Sequence, residues 1–349
     1  MERYAAAHAS RNGPGDARPT ALQIVKDEYQ YGNTDKAPLT DLTIVITGAT
    51  SGIGYEAARA LYATGAKLFI VARDANKAKT TVEKIVSSIP PIEGRRYQDV
   101  EVISMDMESL ASVRLAAEEI LNKANHINIL TNNAGIAGIP FGHTKEGFER
   151  TWGVNYLAPF LLTYLLLPRL DASSTKHRHS RIVNLSTTGH RLFPTHLDDP
   201  NFENTPYEPM SAYATSKLAV VHHANFVDRH FSSRGVRAVS IHPGTVHTPM
   251  LQAYEASQTE RIDPPPAPPG YKEELKSPEQ GAATTVFAAI ASCLENHGGV
   301  YLENCSYAKE APADLGPMDG GYAAFAFNEV VEETLWKDTC KLLDIPDLP

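Results

Sequence analysis

An α/β fold, with parallel strands and helices on both faces of the sheet, is what this 349-residue sequence predicts. Three observations lead there. Strand-like and helix-like segments alternate from Thr43 onward. Each strand-like segment is an unbroken apolar run, the pattern of strands buried on both sides. A glycine-rich turn, TGATSGIG from Thr47, stands between the first of these strands and the helix after it. Crossovers between parallel strands are right-handed, so the alternation leads to a doubly wound Rossmann topology.

In chain order, residues 1–20 carry charges and prolines without apolar periodicity and are expected to lack order. The helical patch TALQIVKDEYQYG follows, with Leu22, Val25 and Tyr29 on one face. Together these form an N-terminal extension, 1–40, partly disordered. LTIVITG is a β-branched run ending in glycine, and IGYEAARALYATGA has helical spacing and a glycine stop. LFIVAR (Leu68–Arg73) is the second strand and KAKTTVEKIVSSI the second helix of the series. VEVISMD, ending at Asp106, is the third strand, SLASVRLAAEEILNKA the third helix, and INILTNNAG a strand running into glycine. A long helix around Asn155, the strand RIVNLST, a helix through YATSK and the strand VRAVSIHPG continue the alternation. Later, SPEQGAATTVFAAIA adds a helix. The segment IDPPPAPPG, residues 262–270, is too stiff for helix or strand and reads as a loop over a site. A single domain over 41–349 is expected, with substrate loops at 190–212 and 250–275.

Composition narrows the function. The net charge is −9 and no run of five basic residues occurs, which argues against nucleic acid or an anionic membrane as the main partner. Three cysteines without zinc spacing suit a reduced, cytoplasmic setting. No apolar run approaches the roughly 18 residues of a membrane span. FLLTYLLLP, from Phe160, reads as a buried helix. His177 with His179, and His222 with His223, lack ligand spacing, so no metal is expected.

The glycine turn carries the first chemistry. Gly48, Gly52 and Gly54, with Thr50, Ser51 and Ile53 between and beside them, let backbone N–H groups approach a pyrophosphate. The following helix aims its positive end at that anion. At the tip of the second strand an acid would bind the adenosine ribose, whereas an arginine can pair with a 2′-phosphate. Arg73 stands there, followed by Asp74, which favours NADP(H) over NAD(H). Asp106 is placed to receive the adenine amino group. Asn132, Asn133, Ala134 and Gly135 end the fourth strand at the open edge where ligands of such sheets lie.

The second chemistry lies in YATSK. Tyr213 and Lys217 are four residues apart on a helix and share a face. A free phenol titrates near 10 and is inert at neutral pH. A cation beside it favours the phenolate, so Lys217 is expected to lower the Tyr213 pKa and make it a general acid and base.

The motifs TGATSGIG, NNAG, Asn155 in its helix, NLSTTG, YATSK and HPGTVHTPM stand in the order of the short-chain dehydrogenase/reductases, which the chain resembles from about Thr43 to Thr248. The segment DDPNFENTPYEPMSAY resembles the retinol dehydrogenase and WW-domain oxidoreductase branch. SPEQGAATTVFAAIA and GGVYLENC are similar to its fungal members. The resemblance implies Tyr213 as catalytic acid/base, Lys217 as its partner and grip on the nicotinamide ribose, and Asn155 as holder of a relay water. It implies a catalytic hydroxyl as well. Alignment on Asn184 and His190 gives this role to Thr187, while the serine-to-glycine spacing counted back from Gly189 gives it to Ser186. Pro243, Gly244, Val246 and Thr248 would cradle the nicotinamide amide. A homodimer through the helices of Asn155 and Tyr213 is also implied.

The expected activity is NADP(H)-dependent interconversion of a carbonyl and an alcohol. Phe193, Phe202, Tyr207, Met250 and Tyr254 in the loop regions suit a bulky, largely apolar small molecule, such as an intermediate of secondary metabolism. The competing expectation is a catalytically silent dinucleotide sensor on the same fold. The glycine spacing differs from the G-x-x-G-x-x-G of nucleotide-sugar epimerases.

Overall fold

Ile44 and Ile46 bury their side chains on one side of the first strand while Val45 faces the other, and this alternation sets the whole layering. The computed structural model describes residues 2–31, 39–90, 97–259, 267–312, 315–316 and 319–348. Its strands are β1 (Thr43–Thr47), β2 (Lys67–Ala72), β3 (Val100–Ser104), β4 (Ile129–Asn132), β5 (Ser180–Leu185), β6 (Val236–His242), β7 (Val300–Glu303) and β8 (Ser306–Tyr307). They form one sheet in the order β3-β2-β1-β4-β5-β6-β7-β8, parallel throughout except for the antiparallel β7–β8 hairpin. The order reverses between β1 and β4, which opens a crevice at the carboxyl ends of these strands.

The helices before this reversal and its crossover are α1 (Ala5–Ala9), α2 (Ala21–Tyr31), α3 (Gly52–Tyr62), α4 (Ala75–Ser88) and α5 (Leu110–Lys123). Next come α6 (Arg150–Trp152), a π-turn (Gly153–Leu157), α7 (Ala158–Ser173), α8 (Gly189–Leu192) and α9 (Pro209–Phe231). The last are α10 (Pro249–Thr259), α11 (Tyr271–Glu274), α12 (Pro278–Gly281), α13 (Ala283–Ile290) and α14 (Glu329–Leu342). One face of the sheet packs on α3, α4 and α13, with α2 against α3 and α13, and the other on α5, α7 and α9, with α14 against α9.

Three features depart from the sequence reading. Residues 2–20 are packed rather than loose: Arg18 is buried, and Tyr4 donates to Asp27 at 2.7 Å. Polar anchoring of this kind leaves no apolar periodicity to read. The β7–β8 hairpin and α14 also went unread as elements, because β7 is only four residues long and α14 is rich in charge. Of the proline-rich segment, residues 262–266 lie outside the described residues, as does the side chain of Tyr29.

Helix α14 lies against the outer sides of α7 and α9. Trp336 is buried there, stacked on Phe226 with ring centroids 4.2 Å apart and packed on Phe160 at 4.8 Å. Thr339 meets the Tyr156 hydroxyl at 2.9 Å, and Asn225 donates to Glu332 at 2.9 Å.

Candidate active site

The crevice is walled first by the turn after β1. Gly48 has φ +70° and Gly52 φ +53°, conformations that favour glycine. A Cβ on Gly54 would lie 2.2 Å from the Gly48 carbonyl oxygen, so the backbone here comes closer than any side chain permits. Asn133 secures the turn from β4, donating through its side chain to Thr47 O at 2.8 Å and Gly48 O at 3.2 Å. The Thr47 hydroxyl accepts from the amides of Asn133 and Ala134. Asn132 turns into the core instead and bonds Thr163 and Asn184.

Helix α3 starts at Gly52 without a side-chain cap from Ser51, whereas Asp74, Ser109 and Glu208 each cap the helices they precede. Helix-opening amides facing a crevice across a backbone too close for side chains form an anion cradle, and a dinucleotide pyrophosphate fits it. Thr50, Ser51, Gly52, Ile53, Arg73, Asp106, Ala134 and Gly135 line the same crevice of about 370 Å³. The Asp74 carboxylate accepts from the amides of Asn76 and Lys77, both at 2.9 Å. Asp106 pairs with Lys145 at 2.9 Å, which holds its carboxyl below the usual range against the effect of burial.

The other end of the crevice holds the expected chemical group. Tyr213, Lys217, Ser186, Leu185, Pro243, Thr248 and Met250 line it. Helix α9 presents Tyr213 and Lys217 on the face toward β5, and Lys217 Nζ donates to Leu185 O at 2.7 Å. Nζ is 5.8 Å from the Tyr213 ring centroid. Burial pushes the Tyr213 phenol up to about 12, opposed only by its hydrogen bond with Thr187. Burial draws Lys217 down to about 8. The expected lowering of the phenol by Lys217 is therefore not what these protein groups alone produce: desolvation of both groups dominates.

Ser186 and Thr187 face opposite ways. Ser186 reaches the crevice lining, but its hydroxyl is taken up in donating to Lys217 O at 2.8 Å. Thr187 is the one at the phenol. Asn155 sits in the π-turn and is buried. Its carboxamide accepts from the Ile136 amide at 2.8 Å and donates to Ile136 O at 2.9 Å and Ser216 Oγ at 3.0 Å. A Cβ on Gly135 would fall 3.1 Å from Asn155 Oδ1 and 3.3 Å from Lys217 Nζ, so these three groups share one corner.

Some expected residues lie elsewhere. Val246 is buried with its side chain against Gly281, and Gly244 sits behind the wall with φ +94°. Of the five loop residues expected around a substrate, Met250 lines the crevice. Phe202 and Tyr207 instead pack on each other at 5.2 Å, and Tyr207 donates to Ile139 O at 3.0 Å. Tyr254 packs over Gly138. His222 and His223 are buried apart, His223 against Phe160 and His222 toward Glu332. The sequence reading missed Ile136 and Ser216, which orient Asn155, and Lys276 behind Pro243. Ile136 directly follows NNAG and Ser216 lies within YATSK, so their places were signalled; Lys276 had no local mark.

The family described as short chain dehydrogenase matches residues 42–197 and 200–259. The chain belongs to this short-chain dehydrogenase/reductase family, whose members bind a nicotinamide dinucleotide. Among individual relatives, it is 38% identical over 350 residues to the short-chain dehydrogenase/reductase prx1 of Penicillium roqueforti, covering 99% of this chain and 96% of that one. It is 32% identical over 313 residues to retinol dehydrogenase 11 of Homo sapiens, covering 90% and 89%. A crystal structure of an uncharacterized Mycobacterium Paratuberculosis protein superposes with TM-score 0.64 at 27% identity, over 90% of this chain and 98% of that one. Among the described residues, no helix is long and apolar enough to cross a membrane.

Proposed function

We propose that this oxidoreductase uses NADP(H) to interconvert a carbonyl and an alcohol on a bulky, mostly apolar small molecule. The observation that carries the proposal is the meeting of Tyr213 and Lys217 at one end of a crevice whose other end is the glycine cradle, with Thr187 beside the phenol. A nicotinamide dinucleotide held with its pyrophosphate at the glycine turn would supply the hydride chemistry. Every proton and every orientation is then the protein's task. Tyr213 gives its phenolic proton to the substrate oxygen during reduction and takes it back during oxidation. The Thr187 hydroxyl holds that oxygen beside the phenol. Lys217 stands by with a charge that favours the phenolate once it forms, and Asn155, fixed on Ile136, leads the relay toward solvent.

Preference for NADP(H) rests on Arg73 and Asp74. The one carboxylate at the tip of β2 is committed to capping α4, while Arg73 lines the crevice. Asp106 is near enough to feel the Arg73 charge but is paired with Lys145, and an arginine so placed suits a 2′-phosphate. The cytoplasm is proposed as the compartment on the strength of three cysteines, none of them in a disulfide. A place in secondary metabolism is proposed on the resemblance to fungal members.

The test is turnover with a panel of bulky aldehydes and ketones. NADPH is expected to be consumed in preference to NADH, and Arg73→Ala is expected to erase most of that preference, about tenfold or more. A protein that binds NADPH tightly and never oxidises it with any carbonyl would instead be the silent sensor.

A further inference from the structure

We propose that Lys276 and Arg18 are positioning residues for the nicotinamide half of the dinucleotide, acting through the crevice wall at 243–248; this rests on the dinucleotide reading given above. Lys276 is 1% exposed. Its ammonium donates to Pro243 O at 3.3 Å and to Asn304 Oδ1 at 2.8 Å. A buried ammonium is tolerated only where such acceptors meet it, so its place fixes theirs in turn. Pro243 is part of the wall beside Tyr213 and Lys217. The fit is close: a Cβ on Gly244 would stand 2.7 Å from Lys276 Nζ. The backbone of Lys276 grips the same wall further along, donating to Thr245 O at 2.9 Å and accepting from the His247 amide at 3.0 Å.

Lys276 is itself held from the N-terminal segment. The Arg18 guanidinium, 3% exposed, donates to three successive carbonyls just before it: Glu273 at 3.2 Å, Glu274 at 2.8 Å and Leu275 at 2.6 Å. It also donates to Gly13 O at 3.1 Å and to Asp16 at 2.9 Å. Gln280 ties Asp16 and the Arg18 carbonyl to the start of α12. Only a planar fork of donors reaches these acceptors together, which a lysine ammonium cannot. The family match begins at residue 42, so this strap is an addition to the shared core that ends on the crevice wall.

The test uses two ligands on the full chain: NADPH, and 2′,5′-ADP, which has the adenosine half and its phosphate but no nicotinamide. Lys276→Met and Arg18→Lys are expected to bind 2′,5′-ADP within about twofold of the unaltered protein and NADPH about tenfold more weakly. Equal weakening toward both ligands would reduce these residues to general supports and overturn the proposal, as would undiminished NADPH binding. Should Lys276→Met not fold, Arg18→Lys makes the same comparison, since it leaves the packing beneath Pro243 in place. If the unaltered protein binds neither ligand, the dinucleotide reading fails rather than the strap.

Discussion

Tyr213 and Lys217 bring opposite pKa shifts to one corner, and their signs make a prediction. Tyr213 sits up at about 12, so as the acid for carbonyl reduction it stays protonated across neutral pH. Reduction is therefore expected to hold its rate through neutrality and fall only on the alkaline side, whereas alcohol oxidation, which needs the phenolate, climbs with pH. Rates in both directions over about pH 6 to 10 check this. Lys217 adds a stability term. Lowered from 10.5 to about 8, it binds fewer protons folded than unfolded between these values, so its cost is present in full below about pH 8 and fades as pH rises toward 10.5.

The sequence placed these two residues on one helical face because helical spacing is local. It did not foresee the direction of the phenol's shift, because desolvation depends on what closes over the site from β5 and the 243–248 wall. It leaned to Thr187 over Ser186 without settling the choice: neighbours at a strand end face opposite sides, and only the packing of α9 decides which side holds the phenol.

Among elements, strands β1, β2, β4, β5 and β6 were legible because burial on both faces writes apolar runs into them, and the half-buried edge strand β3 by its place in the strand–helix alternation. Helices α3, α4, α5 and α9 were legible by period and flanking glycines or caps. The N-terminal strap was not, since Arg18 is fixed by backbone carbonyls about 255 residues away that leave no pattern beside it. Helix α14 was hidden likewise. Its hold on the molecule is chiefly Trp336, stacked on Phe226 and packed against Phe160. Trp336→Ala is expected to cost about 3–5 kcal/mol, read as a lowered denaturation midpoint. An unchanged midpoint would mean that α14 is not bound as described.

For the whole molecule, the same helix bears on assembly. The resemblance implies a homodimer through the helices of Asn155 and Tyr213, yet α14 lies along the outer sides of α7 and α9, with Asn225, Tyr156 and Tyr164 bonded to the chain's own C-terminal segment. A single-subunit mass is predicted by light scattering on the full chain. A dimer that persists with α14 docked would have to use another face.

The central claim is that Tyr213 supplies the proton at a crevice that holds the dinucleotide. Its most direct test is Tyr213→Phe, measured for NADPH binding and for single-turnover carbonyl reduction on the same preparation. The account predicts binding within about twofold of the unaltered protein and turnover reduced by about 10²–10⁴. Full turnover by the phenylalanine variant would contradict it.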